Sequence, residues 1–301
     1  MPHEPQCGPH APRADSEDRT RSVRSTLIVG ADGGIGSALA HRLPHAIRTS
    51  RRAGSDTALS LDLGADPATW ALPESVSVAF LCAARCSIDD CRKKPIETRF
   101  INVDQTVRLA ERLAARGAFL VFLSTNQVFD GSAPLRKPAD TPRPLTEYGR
   151  QKADTERAIL ALGGAVVRFT KVFAGVPPLF ESWAEKLLRG EPIEPFADMM
   201  FSPVSMAEAV DSLVKVAETR AGGITHVSGD RDISYADAAH LLAARLGANP
   251  AWIRPASAQA AGIPPEARPT HTALATRRPI PVHRTLRDLF ALRRGSLARA
   301  A

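Results

Sequence analysis

The sequence is poor in cysteine and lacks the residue spacings by which proteins commonly hold a metal ion. Its 301 residues include four cysteines and eight histidines. No CxxC pair occurs among Cys7, Cys82, Cys86 and Cys91, and the histidines form neither an HExxH motif nor a zinc-ligand pair. Cys82 lies in an apolar run, where a free cysteine usually behaves as a small core hydrophobe. We therefore expect reduced thiols, a cytoplasmic protein and no bound metal.

Long apolar runs are also missing. No stretch approaches the roughly 18 apolar residues that a membrane-spanning helix needs. Residues 1–24 are polar, charged and rich in proline, and they lack the hydrophobic region of a signal peptide. Such a segment buries too little surface to order itself, so we predict a disordered tail at 1–24 and a basic, flexible tail at 291–301. We expect no association with a membrane.

The chain is basic, but it lacks the pattern of a nucleic-acid-binding surface. Lys and Arg number 39 against 32 Asp and Glu, which gives a formal net charge of +7. Arginines are scattered through helical stretches and do not alternate with aromatic residues, as they do on surfaces that stack RNA bases. We expect no nucleic-acid partner. An anionic small molecule such as a nucleotide diphosphate needs only a few of these cations.

Two kinds of apolar segment alternate along the chain. Short β-rich runs occur at 26–30, 46–50, 76–82, 118–124, 165–169 and 224–228. Between them lie longer segments with apolar residues three and four apart, at 35–43, 103–116, 155–162 and 205–218. Continuous apolar strands that alternate with amphipathic helices indicate βαβ units and a parallel sheet covered on both faces. The sequence therefore predicts an α/β protein with a doubly wound, parallel-sheet Rossmann fold.

The alternation changes near residue 172. Prolines interrupt residues 173–200, which contain one predicted helix near 181–189, and short helices broken by proline follow residue 235. We predict a Rossmann domain at 25–172 with a return segment at about 201–228. Residues 173–200 and 229–290 would form a smaller C-terminal substrate-binding lobe. This lobe is expected to pack over the carboxyl edge of the sheet, where open parallel sheets bind ligands.

A glycine-rich segment directly follows the first predicted strand and opens a helix. Its spacing is GxxGxxG, and a strand before it and a helix after it are the context that a dinucleotide-binding loop requires. One glycine permits a tight turn, one lets the backbone approach a pyrophosphate, and one allows close packing of helix on strand. The free amides at the helix start favour phosphate. The predicted cofactor-binding residues of this loop are Gly30, Asp32, Gly33, Gly34, Ile35 and Gly36.

The end of the second predicted strand indicates which dinucleotide is bound. An NAD-binding protein usually places Asp or Glu there to hold the ribose hydroxyls, whereas this chain has Arg51 and Arg52 after a Thr-Ser pair. Arginine offers a forked set of donors that suits a 2′-phosphate. The sequence therefore predicts NADP(H) as the cofactor.

Two further segments carry candidate catalytic residues. Thr125 ends the predicted strand at 118–124, and a YxxxK motif at Tyr148 and Lys152 follows some twenty residues later. Tyr and Lys four apart share one face of a helix. We expect the ammonium to lower the pKa of the phenol, so that Tyr148 exchanges a proton near neutral pH while Thr125 donates a hydrogen bond to a carbonyl oxygen. NADPH would supply the hydride.

Together these motifs resemble a known family. The glycine spacing is similar to that of extended and atypical short-chain dehydrogenases, and AARCSIDDCRKKP, FINVDQT, STNQVFDG and YGRQK resemble the sugar-nucleotide reductases typified by dTDP-4-dehydrorhamnose reductase. The resemblance implies that Thr125, Tyr148 and Lys152 form the catalytic set. It places further residues around the cofactor: Asp62, Leu63, Ala83, Ala84 and Asn102. It places Asn126, Arg268 and His271 near the sugar, and it implies a nucleotide-sugar-like substrate and a homodimer.

One departure from the family narrows the chemistry. Asn126 and Gln127 replace the Asp-Tyr pair of the reductases and differ from the Asp-Glu pair of the related 4,6-dehydratases. Amides cannot perform the proton transfers of a dehydration, so that activity is not expected. Three functions stay open: an NADPH-dependent keto-sugar-nucleotide reductase, an NAD(P)-dependent epimerase of nucleotide sugars, and a non-catalytic NADP-binding regulatory subunit like the beta subunit of methionine adenosyltransferase, which resembles the same family.

Overall fold

The computed structural model describes residues 26–52 and 58–291. The predicted tail at 1–24 lies outside the described residues, and so does all but the first residue of the tail predicted at 291–301. Within the described part of the chain, no helix is both long enough and apolar enough to span a bilayer.

A parallel sheet of seven strands forms the centre of the described molecule, in the order β3-β2-β1-β4-β5-β6-β10. Its strands are β1 (Thr26–Val29), β2 (Ile47–Ser50), β3 (Ala58–Ser60), β4 (Val78–Leu81), β5 (Phe119–Thr125), β6 (Ala165–Phe169) and β10 (Gly223–Val227). The order reverses at β1, which is the topology of a doubly wound Rossmann sheet. This confirms the predicted fold class, and all six predicted strands are present. The edge strand β3 was not predicted, because three residues are too few to show a periodicity.

Helices cover both faces of the sheet. They are α1 (Gly34–Arg42), α2 (Ile88–Lys93), α3 (Pro95–Arg99), α4 (Thr106–Ala114), α5 (Glu147–Ala161), α6 (Pro178–Leu188), α7 (Met206–Thr219), α8 (Tyr235–Leu246) and α9 (Val282–Ala291). Successive strand residues point to opposite faces. Ile28 packs in one apolar cluster with Leu39 of α1 and Leu213 of α7, whereas its neighbour Leu27 packs in another with Leu109 of α4. The sheet therefore has two buried faces, as its nearly continuous apolar strands require.

A third apolar cluster lies in the region predicted as the smaller lobe. Phe180 of α6 is at its centre, with ring centroids 5.4 Å from both Trp183 and Phe290 of α9 and 6.2 Å from Tyr235 of α8. Short strands complete this region: β7 (Lys171–Phe173) pairs in parallel with β9 (Pro203–Ser205), and β8 (Met200–Phe201) pairs antiparallel with β11 (Ile233–Ser234). This packing fixes the C-terminal segments beside the carboxyl edge of the large sheet.

Two helices begin elsewhere than predicted. The helix predicted from Val103 is preceded by a π-helix over Phe100–Gln105, which carries the buried side chains of Asn102 and Gln105. Helix α5 begins at Glu147, because the hydroxyl of Thr146 accepts a hydrogen bond from the Gly149 amide at 3.0 Å and caps its first turn. Tyr148 and Lys152 therefore both lie inside α5.

Candidate active site

The carboxyl ends of six neighbouring strands, β1 to β6, open into a cleft of about 740 Å³. Its wall includes every predicted cofactor-binding or catalytic residue except Asn102. The glycine loop lies at one side, the residues after β2 and β3 lie beside it, and Thr125, Tyr148 and Lys152 also line the cleft. The cleft thus runs from a predicted phosphate-binding loop to the predicted catalytic residues.

Three glycines shape the loop for different reasons. Gly30 has φ +83°, and a Cβ atom there would lie 2.8 Å from Ala83. A Cβ on Gly36 would lie 2.2 Å from the Gly30 carbonyl oxygen, so only glycine lets α1 approach β1 this closely. At Gly33, which precedes α1 and makes no side-chain cap, the nearest atom to an added Cβ is 3.5 Å away. The first amides of α1 are thereby available to a phosphate.

Polar side chains connect the loop to the end of β2. The Thr49 hydroxyl accepts a hydrogen bond from the Gly30 amide at 3.1 Å, and the Ser50 hydroxyl donates to the Asp32 carboxylate. The amide of Arg52 donates to the same Ser50 hydroxyl at 3.0 Å. Arg51 and Arg52 are exposed on the cleft wall. The backbone that carries these two cations is therefore fixed at the cleft wall, where the sequence argument placed a 2′-phosphate.

The part of the cleft wall after β3 includes Asp62 and Leu63. One oxygen of the Asp62 carboxylate accepts a hydrogen bond from the Gly64 amide at 2.8 Å, and its backbone carbonyl accepts one from the Trp70 indole at 2.8 Å. These bonds fix the turn after β3, and one carboxylate oxygen of Asp62 is used within it.

Asn102 lies behind the cleft and does not form its wall. Its side-chain carbonyl accepts a hydrogen bond from the Arg85 amide at 2.7 Å, and its amide donates to the Arg85 carbonyl at 2.8 Å and to Gln151 at 2.7 Å. These bonds hold the segment after β4, in which Ala83 and Ala84 line the cleft. The structure therefore places Asn102 where it positions the segment that lines the cleft after β4. The sequence argument did not include Gln151, although it lies inside the YxxxK motif.

Lys152 is buried, and its ammonium is held by the end of β5. Its Nζ donates to the Leu123 carbonyl at 2.8 Å and lies 4.5 Å from the centre of the Phe122 ring and 5.9 Å from that of Tyr148. Burial lowers the pKa of Lys152 to about 8, because a charged amine loses hydration there. Burial also raises the pKa of the Tyr148 phenol, whereas the sequence argument expected Lys152 to lower it. That expectation is wrong for the protein alone, because desolvation of the phenol is the largest cause of the shift in its pKa.

A second cleft of about 430 Å³ lies beside the first. Asn126 and His271, both predicted to contact the substrate, line it. His271 Nδ1 lies 3.6 Å from a carboxylate oxygen of Asp232. Arg268 does not line this cleft, because its guanidinium turns away and donates to the Ile263 carbonyl at 2.9 Å. Among the described residues, His, Cys, Asp and Glu form no group that could hold a metal ion.

The two clefts share four lining residues: Cys86, Thr125, Tyr148 and Thr170. Thr125 and Tyr148 were predicted, but the sequence argument missed Cys86 and Thr170. Thr170 directly follows the last residue of β6, and the rule that ligands bind at the carboxyl ends of parallel strands could have identified it. Cys86 is one of three free thiols in the described part of the chain.

Known proteins resemble the chain along most of its length. The profile of the RmlD substrate binding domain family matches residues 24–283. A dTDP-4-dehydrorhamnose reductase of Mycobacterium tuberculosis is 29% identical over 262 residues, which are 83% of this chain and 84% of that protein. The solved dTDP-4-dehydrorhamnose reductase of Bacillus anthracis in complex with NADP has a TM-score of 0.73 at 22% identity, over 89% of this chain and 98% of that one.

A more identical relative matches over a shorter stretch. Methionine adenosyltransferase 2 subunit beta of Pongo abelii is 41% identical over 103 residues, or 34% of this chain. The matched stretch is 31% of that relative, so the chain covers less than a third of its length.

Proposed function

The chain belongs to the RmlD substrate binding domain family, and we propose on this basis that it is an NADPH-dependent reductase of a keto-sugar nucleotide. The observation that carries the proposal is the position of Thr125 and Tyr148 on the wall shared by both clefts, with the Lys152 ammonium beside them. A cofactor in the larger cleft and a carbonyl substrate in the smaller one would meet at these side chains.

The residues of the larger cleft suit NADP(H). The open backbone at Gly33 and the first amides of α1 would hold the pyrophosphate. Arg51 and Arg52 are exposed cations beside Ser50 and would hold the 2′-phosphate. When bound, NADPH supplies a hydride to the carbonyl carbon of the substrate.

The protein's own residues would manage the proton. With its pKa raised, the phenol of Tyr148 is protonated at neutral pH, and it would donate that proton to the carbonyl oxygen as negative charge develops there. The hydroxyl of Thr125 would polarise the same oxygen. Lys152, held by Leu123, would stabilise the phenolate that the transfer leaves behind. Asn126 and His271 would contact the sugar from the second cleft.

Turnover of a keto-sugar nucleotide tests the reaction. Purified protein is mixed with NADPH and a dTDP-4-keto-6-deoxy sugar, and NADPH absorbance is followed. We expect turnover that Tyr148→Phe lowers by a factor on the order of 10² to 10⁴, the usual contribution of a general acid, with the NADPH dissociation constant kept. Retained NADPH binding without turnover of any keto-sugar nucleotide would contradict the reductase assignment.

Titration calorimetry tests the cofactor. We expect wild-type protein to prefer NADPH over NADH, and the double variant Arg51→Ala/Arg52→Ala to lose this preference. The double variant Arg277→Ala/Arg278→Ala, which changes two adjacent exposed arginines outside both clefts, is the matched control. Equal affinity of wild-type protein for both cofactors would remove the argument from Arg51 and Arg52 and would favour the epimerase alternative.

A second candidate function is a cofactor-binding subunit of another enzyme. The 41% identity to methionine adenosyltransferase 2 subunit beta over 103 residues favours it. The two candidates differ in outcome: a subunit of this kind binds NADPH and co-purifies with an unrelated enzyme, but does not consume NADPH.

A further inference from the structure

Thr170 occupies an unusual position in the active site. It follows β6 directly, and its amide donates to the Val227 carbonyl of the neighbouring strand β10 at 3.2 Å. In the pairing of β5 with β6, Thr125 lies opposite Phe169, so Thr170 is one residue beyond the level of Thr125. It belongs to the wall of both clefts, as Tyr148 does.

The hydroxyl of Thr170 is buried without a partner. The residue is only 6% exposed. Within residues 26–52 and 58–291, its Oγ1 is one of three buried side-chain nitrogen or oxygen atoms that make no hydrogen bond. The other two, Gln105 Oε1 and Arg136 Nε, belong to side chains that bond through a second atom. Thr170 has only its hydroxyl. An unsatisfied buried hydroxyl destabilises the fold. Because Thr170 lines both clefts, a bound ligand could supply the missing hydrogen-bond partner.

We propose that Thr170 is a cofactor-positioning residue whose hydroxyl bonds the carboxamide of the nicotinamide ring. A dinucleotide with its phosphates at Gly33 and Arg51 extends toward Tyr148 with its nicotinamide end. The carboxamide is the strong hydrogen-bonding group of that ring, and a hydroxyl can either donate to its oxygen or accept from its nitrogen. Phe169 and Val172, which lie within two residues of Thr170 in sequence, also line the larger cleft and are apolar, as a ring requires. The inference rests on the cofactor part of the proposed function and is independent of the sugar.

Two ligands that differ only in the nicotinamide ring test the proposal by binding alone. Dissociation constants of NADPH and of 2′-phospho-ADP-ribose, which lacks the ring, are measured for wild type, Thr170→Val and Thr170→Ser. We expect Thr170→Val to weaken NADPH binding about 3- to 10-fold, the effect of one net hydrogen bond, and to leave the analogue unchanged. Thr170→Ser retains a hydroxyl and should restore most of the NADPH affinity. Thr225→Val, at an exposed threonine of β10, is the matched control.

A thermal melt without ligand separates this role from a structural one. Because Oγ1 has no partner in the protein, Thr170→Val should melt at the wild-type temperature or above it, whereas a structural hydroxyl would lower the melting temperature when removed. Unchanged NADPH affinity in Thr170→Val, or equal weakening of NADPH and the analogue, would overturn the proposal. Failure of wild-type protein to bind either ligand would overturn the cofactor assignment and the inference with it. Failure to reduce a sugar would affect only the proposed reaction.

Discussion

Arg168 is fully buried in β6, and side chains from other elements surround its guanidinium. The carboxylate of Glu156 from α5 lies 2.6 Å from Nη2, and the Ser124 hydroxyl of β5 donates to that carboxylate. His226 Nε2 of β10 lies 3.4 Å from Nη1. A buried charge without a partner is costly, and here the Glu156 carboxylate neutralises the Arg168 guanidinium.

The same contacts fix the protonation of His226. Arginine only donates, so Nε2 must accept, and Nδ1 then carries the proton and donates to the Ala275 carbonyl at 3.0 Å. Burial and the neighbouring Arg168 lower the pKa of His226 to about 4. Between its ordinary pKa of 6.5 and that value, the unfolded chain binds a proton that the folded chain does not. The free energy of unfolding therefore decreases as the pH falls through this window.

We expect His226→Gln to flatten the pH dependence of stability. Wild-type protein should lose about 1 to 2 kcal/mol more than the variant between about pH 7 and about pH 5, where most carboxylates still keep their charge. Urea unfolding at several pH values measures this difference. His240→Gln, at an exposed histidine of α8, serves as the control and should follow wild type. An identical slope for His226→Gln and wild type would contradict the assignment.

At the scale of elements, two helices lie so close to neighbouring backbone that only glycine fits at the contact. Helix α1 contacts β1 at Gly36, and helix α5 contacts the turn after β5 at Gly149, where an added Cβ would lie 2.2 Å from the Gln127 carbonyl oxygen. The first contact sets the distance between the glycine loop and the start of α1, and the second sets the position of Tyr148. Gly36 was identified from its place in a glycine motif. Gly149 was not, because the turn it meets is 22 residues away in sequence and leaves no local pattern.

Alanine at two glycines of the loop should separate packing from binding. Gly36→Ala should cost at least about 2 kcal/mol of unfolding free energy, because its Cβ would collide with backbone. Gly33→Ala has room and an ordinary φ of −75°, so its stability should stay within about 1 kcal/mol of wild type. Its methyl group enters the cleft, and NADPH affinity should fall about tenfold, or 1.4 kcal/mol. Chemical denaturation and calorimetry measure the two effects, and equal destabilisation by both variants would contradict the distinction.

The elements that the sequence predicted well are those with a strong period. The buried strand β4 is a continuous apolar run, and the amphipathic helix α7 begins within a residue of its predicted start. The π-helix at Phe100–Gln105 was missed because it depends on tertiary contacts. Its buried side chains Asn102 and Gln105 donate hydrogen bonds to the Arg85 and Ala65 carbonyls, which are distant in sequence. Local propensity does not encode such contacts.

For the whole molecule, the larger cleft could be predicted almost completely, whereas only a few residues of the smaller cleft could. The first is built from motifs that follow strands, whereas the second depends on the C-terminal segment at 265–272 folding back onto the sheet. Asp232 holds that segment: one carboxylate oxygen accepts hydrogen bonds from the Thr272 amide, the Thr272 hydroxyl and the Ala273 amide at 2.7 to 2.8 Å. These partners are 40 and 41 residues away, so no spacing rule pointed to Asp232.

Removal of this anchor should affect the substrate and spare the cofactor. Asp232→Ala should raise the KM for the sugar nucleotide about tenfold, because His271 loses its fixed position, with the NADPH dissociation constant unchanged. Asp232→Asn keeps an acceptor oxygen, so its KM should lie between those of wild type and Asp232→Ala. Asp198→Ala is the matched control, because Asp198 holds residues 257–259 through similar bonds and that segment lines neither cleft. Steady-state kinetics measure the KM for the sugar nucleotide, and titration measures the NADPH dissociation constant. If Asp232→Ala weakened NADPH binding as much as it raised that KM, the site would be generally unfolded and the prediction would be wrong.

The four residues common to both cleft walls also affect how the binding of one ligand changes the affinity for a second. A molecule that fills one cleft reshapes part of the surface that the other cleft offers, so the two binding equilibria are coupled. Thermodynamic linkage makes that coupling reciprocal: whatever factor the first ligand applies to the affinity of the second, the second applies to the first. If each cleft binds a ligand, a substitution at Cys86 or Thr170 changes a surface that both ligands would meet, and its effect on one affinity would depend on whether the other ligand is already present.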